Sequence, residues 1–419
     1  MLTAVVGINW GDEGKGRMVD LLSQDYKIVS RYQGGNNAGH TVINERGKFI
    51  LNLLPSGILR DDTVNVMGPG MVIDLEHLSG EVQRLREGGI EITPAHLKIS
   101  DRAVICMPYH KMLDGLEEDR LADKKFGSTR RGIAPVYSDK YMKKALRMGD
   151  LKDMKALRER LEGVVEWKNL TVVNGYGAEA LTVDAMMEWL EKYGLPFADY
   201  VCDTTMLLAN AQDVLFEAQL GALRDIDFGI YPYTSSSSTI AAFAPIGAGI
   251  PGRKLDRVVG IMKAYSTCVG EGPFTCEMFG DKAEELRQAG GEYGAATGRP
   301  RRVGGFDAVA SRYGVMMQGA DDIAVTKLDV LSYLDTIPVC EAYEVDGERV
   351  TDFMVGPRLD RAKPVYTEMP GWKQDISGCR KFADLPLNAQ KYVRYLEEAV
   401  NCRISIVSVG AEREAYIAL

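Results

Sequence analysis

Short apolar and β-branched runs alternate with amphipathic stretches along most of the chain. Leu2-Thr3-Ala4-Val5-Val6-Gly7 has the unbroken apolar character of a strand buried on both faces. Ile28-Val29-Ser30-Arg31-Tyr32, Thr171-Val172-Val173-Asn174, Tyr200-Val201-Cys202-Asp203 and Asp322-Ile323-Ala324-Val325-Thr326 read as further strands or strand ends. Helical periodicity runs over 183–192 and 282–289; near the C-terminus a helix over 387–400 precedes a closing strand over 403–409. Strands interleaved with helices predict an α/β fold with a mainly parallel central sheet flanked by helices.

Length alone, 419 residues, suggests two or three domains. No Ser/Gly/Pro-rich or low-complexity stretch divides the chain, so one large domain over 1–419 with small subdomain excursions is expected instead. The net charge of -9 excludes the basic footprint of a nonspecific nucleic-acid or membrane-surface binder, while leaving room for a local basic pocket. Seven cysteines without a CxxC pair read as reduced thiols rather than a disulfide frame or zinc site. With no signal-peptide pattern and no apolar run of about 18–20 residues, a cytoplasmic location is expected.

Four motifs carry chemistry. The first strand runs into Trp10-Gly11-Asp12-Glu13-Gly14-Lys15-Gly16 and then a helical stretch, the arrangement in which backbone N–H groups and a helix N-terminus receive phosphate oxygens. Lys15 is placed to reach a terminal phosphate. Gly16 stands where a Walker A loop has the Ser or Thr that holds magnesium, which makes Asp12 the local candidate for a hard cation. The second motif, Gly34-Gly35-Asn36-Asn37-Ala38-Gly39-His40-Thr41, exposes backbone in a glycine loop with a histidine at its exit. Of the four histidines, His77 and His96 read as structural and His110 has no assignment. His40 is placed to stabilise charge on a transferring phosphoryl oxygen.

Third, Thr326-Lys327-Leu328-Asp329 follows a strand; an Asp accepting from N1–H and the 2-amino group selects guanine over adenine. Fourth, Gly298-Arg299-Pro300-Arg301-Arg302 follows Gly294-Ala295-Ala296-Thr297. It reads as a glycine-hinged loop whose arginine forks suit carboxylate or phosphate.

With these motifs in order, the chain resembles the adenylosuccinate synthetase family along nearly its full length. Further matching stretches are Pro55-Ser56-Gly57-Ile58-Leu59, Arg131-Gly132-Ile133, Asp225-Ile226-Asp227, Tyr231-Pro232-Tyr233, Val269-Gly270-Glu271-Gly272-Pro273-Phe274 and Met369-Pro370-Gly371-Trp372. The resemblance implies a P-loop-like α/β fold and a magnesium-dependent homodimer that joins L-aspartate to IMP with GTP through a 6-phosphoryl-IMP intermediate. It implies Asp12 as the base that removes the N1 proton of IMP and as a metal ligand with the Gly39 carbonyl, and His40 as the residue assisting phosphoryl transfer. GTP would meet Gly11, Glu13, Gly14, Lys15, Gly16, Thr41, Arg301, Lys327, Asp329, Ser408 and Gly410. IMP would meet Asn37, Thr129, Leu220, Ser235, Val269 and Arg299, with Lys143 reaching in from the partner subunit. Aspartate would meet Ala296, Thr297, Arg299 and Arg301.

Several positions depart from the family pattern. Leu220 takes the place of an IMP-contacting glutamine, and Lys143 that of an arginine. Phe228 replaces a histidine, Cys268 an arginine, Gly305 a tryptophan and Ser238 an asparagine. The C-terminal Gly410-Ala411-Glu412-Arg413 departs from a Gly-Pro-Asp-Arg pattern. These edits gather on the acceptor-nucleotide side. Two competing readings follow: a paralog joining aspartate to another purine nucleotide, and a noncatalytic GTP-binding switch.

Overall fold

The computed structural model describes residues 1–44, 46–294, 298 and 300–419. Its centre is a ten-stranded sheet. In spatial order the strands are Tyr416–Ala418, Ile404–Ser408, Asp322–Thr326, Arg257–Lys263, Leu2–Gly7, Val214–Glu217, Ile28–Arg31, Val64–Met67, Leu97–Ser100 and Val201–Cys202. Every neighbouring pair is parallel except the edge strand Tyr416–Ala418, which runs antiparallel to Ile404–Ser408.

All six residues of Leu2–Gly7 are buried. Period-two alternation sends Leu2, Ala4 and Val6 to one face, against Phe216, Ala244 and Ala248, and Val5 to the other, against Met18, Val19 and Leu21 of the helix Lys15–Leu22. Each such aliphatic side chain contributes roughly 1.5–3 kcal/mol on full burial, so the strand feeding the phosphate loop is anchored from both sides. Helix Leu387–Val400 covers a neighbouring part of the sheet through Ala389, Val393 and Leu396. Between the strands Leu97–Ser100 and Val201–Cys202 the chain makes an excursion of helices, including Pro108–Leu121, Ile133–Met142, Met154–Asn169 and Val183–Tyr193. A smaller sheet is built on Thr336–Val345, which pairs antiparallel with Lys363–Pro370 and with Glu348–Val350. No described helix is long and apolar enough to cross a membrane.

One expected strand is not a strand. Residues 171–174 lie within Leu170–Gly175, a π-helical extension of Met154–Asn169. A formed sixteen-residue helix propagates cheaply. Val172 packs fully buried with Leu157, Leu161, Val164 and Val165, and Asn169 exchanges hydrogen bonds with the backbone of Leu181. Packing and cooperativity override the β-propensity of Thr-Val-Val.

Candidate active site

Six adjacent strands end in Ser408, Thr326, Lys263, Gly7, Glu217 and Arg31, and the predicted motifs leave from their C-terminal ends. That edge is where open parallel sheets bind ligands.

The phosphate loop occupies residues 8–14 and enters the helix Lys15–Leu22 through Gly14, whose φ of 95° is the left-handed conformation that glycine adopts without strain. Glu13 organises this loop from inside. Its buried carboxylate accepts from the backbone N–H of Asn9 at 3.0 Å and of Gly11 at 2.9 Å, and binds the Lys15 ammonium at 2.6 Å. Thr326 Oγ1 donates to the Glu13 carbonyl at 2.6 Å, tying the first motif to the third.

The missing Ser/Thr of the loop has a steric cause. A Cβ at position 16 would lie 2.7 Å from His40 Cβ and 3.2 Å from its Cγ. The helix therefore starts in contact with the histidine, and only glycine fits. His40 opens the strand His40–Asn44, in which alternation turns His40 and Val42 inward and Thr41 outward. Its Nδ1 is hydrogen-bonded to Glu217 Oε1. Glu217, fully buried at its strand end, also accepts from the Ser56 N–H at 2.7 Å and the Ser56 hydroxyl at 2.8 Å. Burial pushes the His40 imidazole below its usual pKa against the pull of Glu217. Burial would raise Glu217, but His40, Arg31 and the Ser56 N–H together hold it below the usual carboxylate range.

Arg301 links the motifs. Its Nε lies 3.0 Å from Asp12 Oδ2 and its Nη1 2.8 Å from Glu292 Oε2. Glu292, fully buried, also receives Lys263 at 2.9 Å, Lys327 at 2.8 Å and the Tyr265 hydroxyl at 2.5 Å. Burial would raise this carboxyl; Lys263, Lys327 and Arg301 hold it far below the usual range. Lys263 itself is pushed down to about 8, by burial first. Arg302, from the same arginine cluster, turns away to a fork on Glu277 and to the carbonyls of Gly270 and Gly272.

Asp329 begins the 3-10 turn Asp329–Tyr333, and burial raises its pKa. Beside it, the C-terminal segment is stitched down by Arg17, which donates to the Ser408 hydroxyl and to the carbonyls of Gly410, Glu412 and Ala415.

On the other side of the phosphate loop, Leu220 packs on Gly11: a Cβ there would meet Leu220 Cα at 3.4 Å. Its neighbour Gln219 is fully buried and braces the second motif by exchanging hydrogen bonds with the backbone of Gly35. Asn37 is half-buried, whereas its neighbour Asn36 is turned inward onto Asp74. Three segments then converge. The carbonyl of Gly127, just before exposed Thr129, lies near Gly270, and Gly270 adjoins Val269. The Ser235 N–H donates to the Arg224 carbonyl at 2.8 Å, and the Arg224 guanidinium in turn donates to the Val269 carbonyl. Lys143 is the exposed left-handed cap of Ile133–Met142. Ala296, Thr297 and Arg299 fall outside the described residues.

Among the nine described non-glycine residues with positive φ are Asp12, Leu220 and Lys327, at 59°, 65° and 59°. Such conformations persist where surrounding structure over-determines them and gather at active sites. Sequence reasoning missed Glu217, Glu292 and Arg17. Only Glu217 had a local signal, an acid closing the apolar strand Val214–Glu217.

The adenylosuccinate synthetase family model matches residues 4–417. The chain belongs to that family. It is 44% identical over 415 residues to the adenylosuccinate synthetase of Streptococcus gordonii, covering 98% of this chain and 96% of that protein. It is also 44% identical over 423 residues to that of Caldanaerobacter subterraneus subsp. tengcongensis, covering 100% and 99%. The fully ligated adenylosuccinate synthetase of Plasmodium falciparum superposes with a TM-score of 0.93 at 34% identity, covering 100% of this chain and 99% of that one. The chain is a ligase that forms a C–N bond between aspartate and IMP using GTP, in purine nucleotide biosynthesis. Neither a switch without catalysis nor a ligase for another nucleotide is favoured.

Proposed function

We propose that the residues at the C-terminal edge of the sheet divide the ligation into two chemical steps. Asp12 removes the N1 proton of IMP, which moves electron density onto O6, and O6 attacks the γ-phosphorus of GTP as its bond to the β-phosphate breaks and GDP leaves. The amino group of aspartate then attacks C6, and phosphate leaves with O6. Phosphorylation turns a poor oxygen leaving group into a good one. The observation that carries this reading is the clustering of Asp12, Lys15 and His40 at one helix start, with Gly16 in contact with the histidine.

Lys15, Gly11, Gly14 and Gly16 hold the phosphates, and Glu13 orients Lys15, whose ammonium has donors to spare. His40 supplies an N–H at Nε2 to the transferring phosphoryl group. With Nδ1–H committed to Glu217, that donor requires the imidazolium; negative charge on both sides of the ring favours it once phosphate is present. Asp329 reads guanine, with Lys327, Ser408 and Gly410 as walls, and Thr41 approaches from the exposed face of its strand. Asn37, Thr129, Leu220, Ser235, Val269 and Arg299 surround IMP, and Ala296, Thr297, Arg299 and Arg301 hold aspartate. Arg301 joins the two halves because it already bridges Asp12 and Glu292.

The donor set suits magnesium. Asp12 and the Gly39 carbonyl are hard oxygen ligands, and Mg2+ is ordinarily held by one or two carboxylates together with substrate phosphates. The described residues offer no cluster of three or more His, Cys, Asp or Glu for a metal, in keeping with a site completed by nucleotide. When bound, the ion neutralises charge on the phosphates. A homodimer, with Lys143 of each subunit reaching the other's IMP, and a cytoplasmic location complete the proposal.

Asp12→Asn tests the base role: GTP binding and fold are retained, while turnover falls by about 10² or more. Near-normal turnover in that variant removes Asp12 from the role.

A further inference from the structure

Arg224 lies nine residues before Tyr233 and 45 before Val269, yet its guanidinium joins both. Nη1 donates to the Tyr233 carbonyl and reaches the Glu271 carbonyl at 3.4 Å. Nη2 donates to the Val269 carbonyl and to Cys268 Sγ at 3.0 Å. The backbone takes part too, since the Ser235 N–H donates to the Arg224 carbonyl at 2.8 Å. Arg224 is only 7% exposed, and its guanidinium forms no ion pair with a carboxylate among the described residues. It is a buried cation whose acceptors are carbonyls and a thiol. Arg302 laces the same loop from the other side, through the carbonyls of Gly270 and Gly272, with Glu277 as its counter-charge. Despite this bracing, the Val269 side chain is 51% exposed, an apolar group held out on a rigid loop.

We propose that Arg224 is a positioning residue for the acceptor nucleotide: its fork fixes the separation between the Tyr233–Ser235 turn and the Val269–Gly272 loop. The inference rests on the reading that Ser235 and Val269 face IMP. It also explains how the chain tolerates Cys268, where the family resemblance expects arginine. The guanidinium that spans these carbonyls comes from position 224, and the thiol leaves room for it. A lysine would keep the charge but offer a point in place of a planar fork.

The test is steady-state kinetics of Arg224→Leu, Arg224→Lys and Arg224→Leu/Cys268→Arg, with Ser235→Ala and Val269→Ala as controls for the site itself. Arg224→Leu is expected to raise the KM for IMP by about tenfold or more with the KM for GTP changed less than about twofold, since sub-ångström misplacement of a binding wall acts on that ligand alone. Arg224→Lys falls between, and the double variant moves back toward the parent because the fork is restored from the neighbouring position. If the two alanine variants raise the KM for IMP but Arg224→Leu, or Arg224→Lys should the first not fold, leaves it unchanged, the positioning role is overturned and the site reading stands. If the alanine variants leave it unchanged, the site reading falls and takes the proposal with it. Equal losses for IMP and GTP, or a double variant no better than Arg224→Leu, also overturn it.

Discussion

His40 and Glu217 meet as a buried pair, imidazole Nδ1 on carboxylate Oε1, at the C-terminal edge of the sheet. The pair commits Nδ1 to Glu217 and leaves Nε2 for the proposed contact with the phosphoryl group. Glu217→Gln keeps the volume and removes the charge that favours the imidazolium. It is expected to lower kcat by about 10–10²-fold with KM for GTP and IMP little changed. With the imidazolium as the proposed working form, kcat is expected to fall as pH rises through the pKa of the ligated enzyme, and the variant to move that limb to lower pH. A change confined to KM would place Glu217 in binding instead.

Gly16→Ser restores the residue a Walker A loop has at this point, yet it is expected to damage the enzyme. The added Cβ would lie 2.7 Å from His40 Cβ, and overpacking at a buried contact costs about 1–3 kcal/mol. Thermal unfolding and activity together check this: lower stability and lost turnover are expected, with no gain in apparent magnesium affinity.

Asp329→Asn exchanges two acceptors for one acceptor and a donor pair. Its amide can no longer accept from both N1–H and the 2-amino group of guanine, but it can donate to a 2-carbonyl. The KM for GTP is expected to rise by about 10²-fold, with XTP becoming the better donor. Competition kinetics with the two nucleotides read this directly. Unchanged preference for GTP would move guanine recognition elsewhere.

Burial lowers the pKa of both His40 and His110. In the unfolded chain each titrates near about 6.5, so below that pH the unfolded state binds protons that the folded state refuses. Stability is expected to be indifferent to these two groups above about pH 7 and to fall as pH drops through about 6.5. Chemical denaturation at several pH values measures the slope, and His110→Gln should reduce it.

Half of the ten-stranded sheet was legible because parallel strands buried on both faces read as apolar runs, and the helix Leu387–Val400 was legible to the residue because its apolar stripe is regular. The phosphate loop was legible because its acid, lysine and glycines are contiguous. Glu292 was not: its partners Lys263, Arg301 and Lys327 meet it only through folding, and nothing in its neighbourhood marks it. Residues 171–174 failed for the opposite reason, a local β signal overruled by the helix that precedes it. The steric reason for Gly16 was likewise invisible, because His40 is distant in sequence and close only in space.

In the proposed reaction O6 of IMP takes the γ-phosphoryl group of GTP and leaves with it as phosphate when aspartate adds. Supplying IMP carrying 18O at O6, with GTP, aspartate and magnesium, and weighing the released phosphate by mass spectrometry tests it most directly. One 18O is expected in each phosphate formed; phosphate free of label would mean that GTP is hydrolysed by water and that O6 never carries the phosphoryl group.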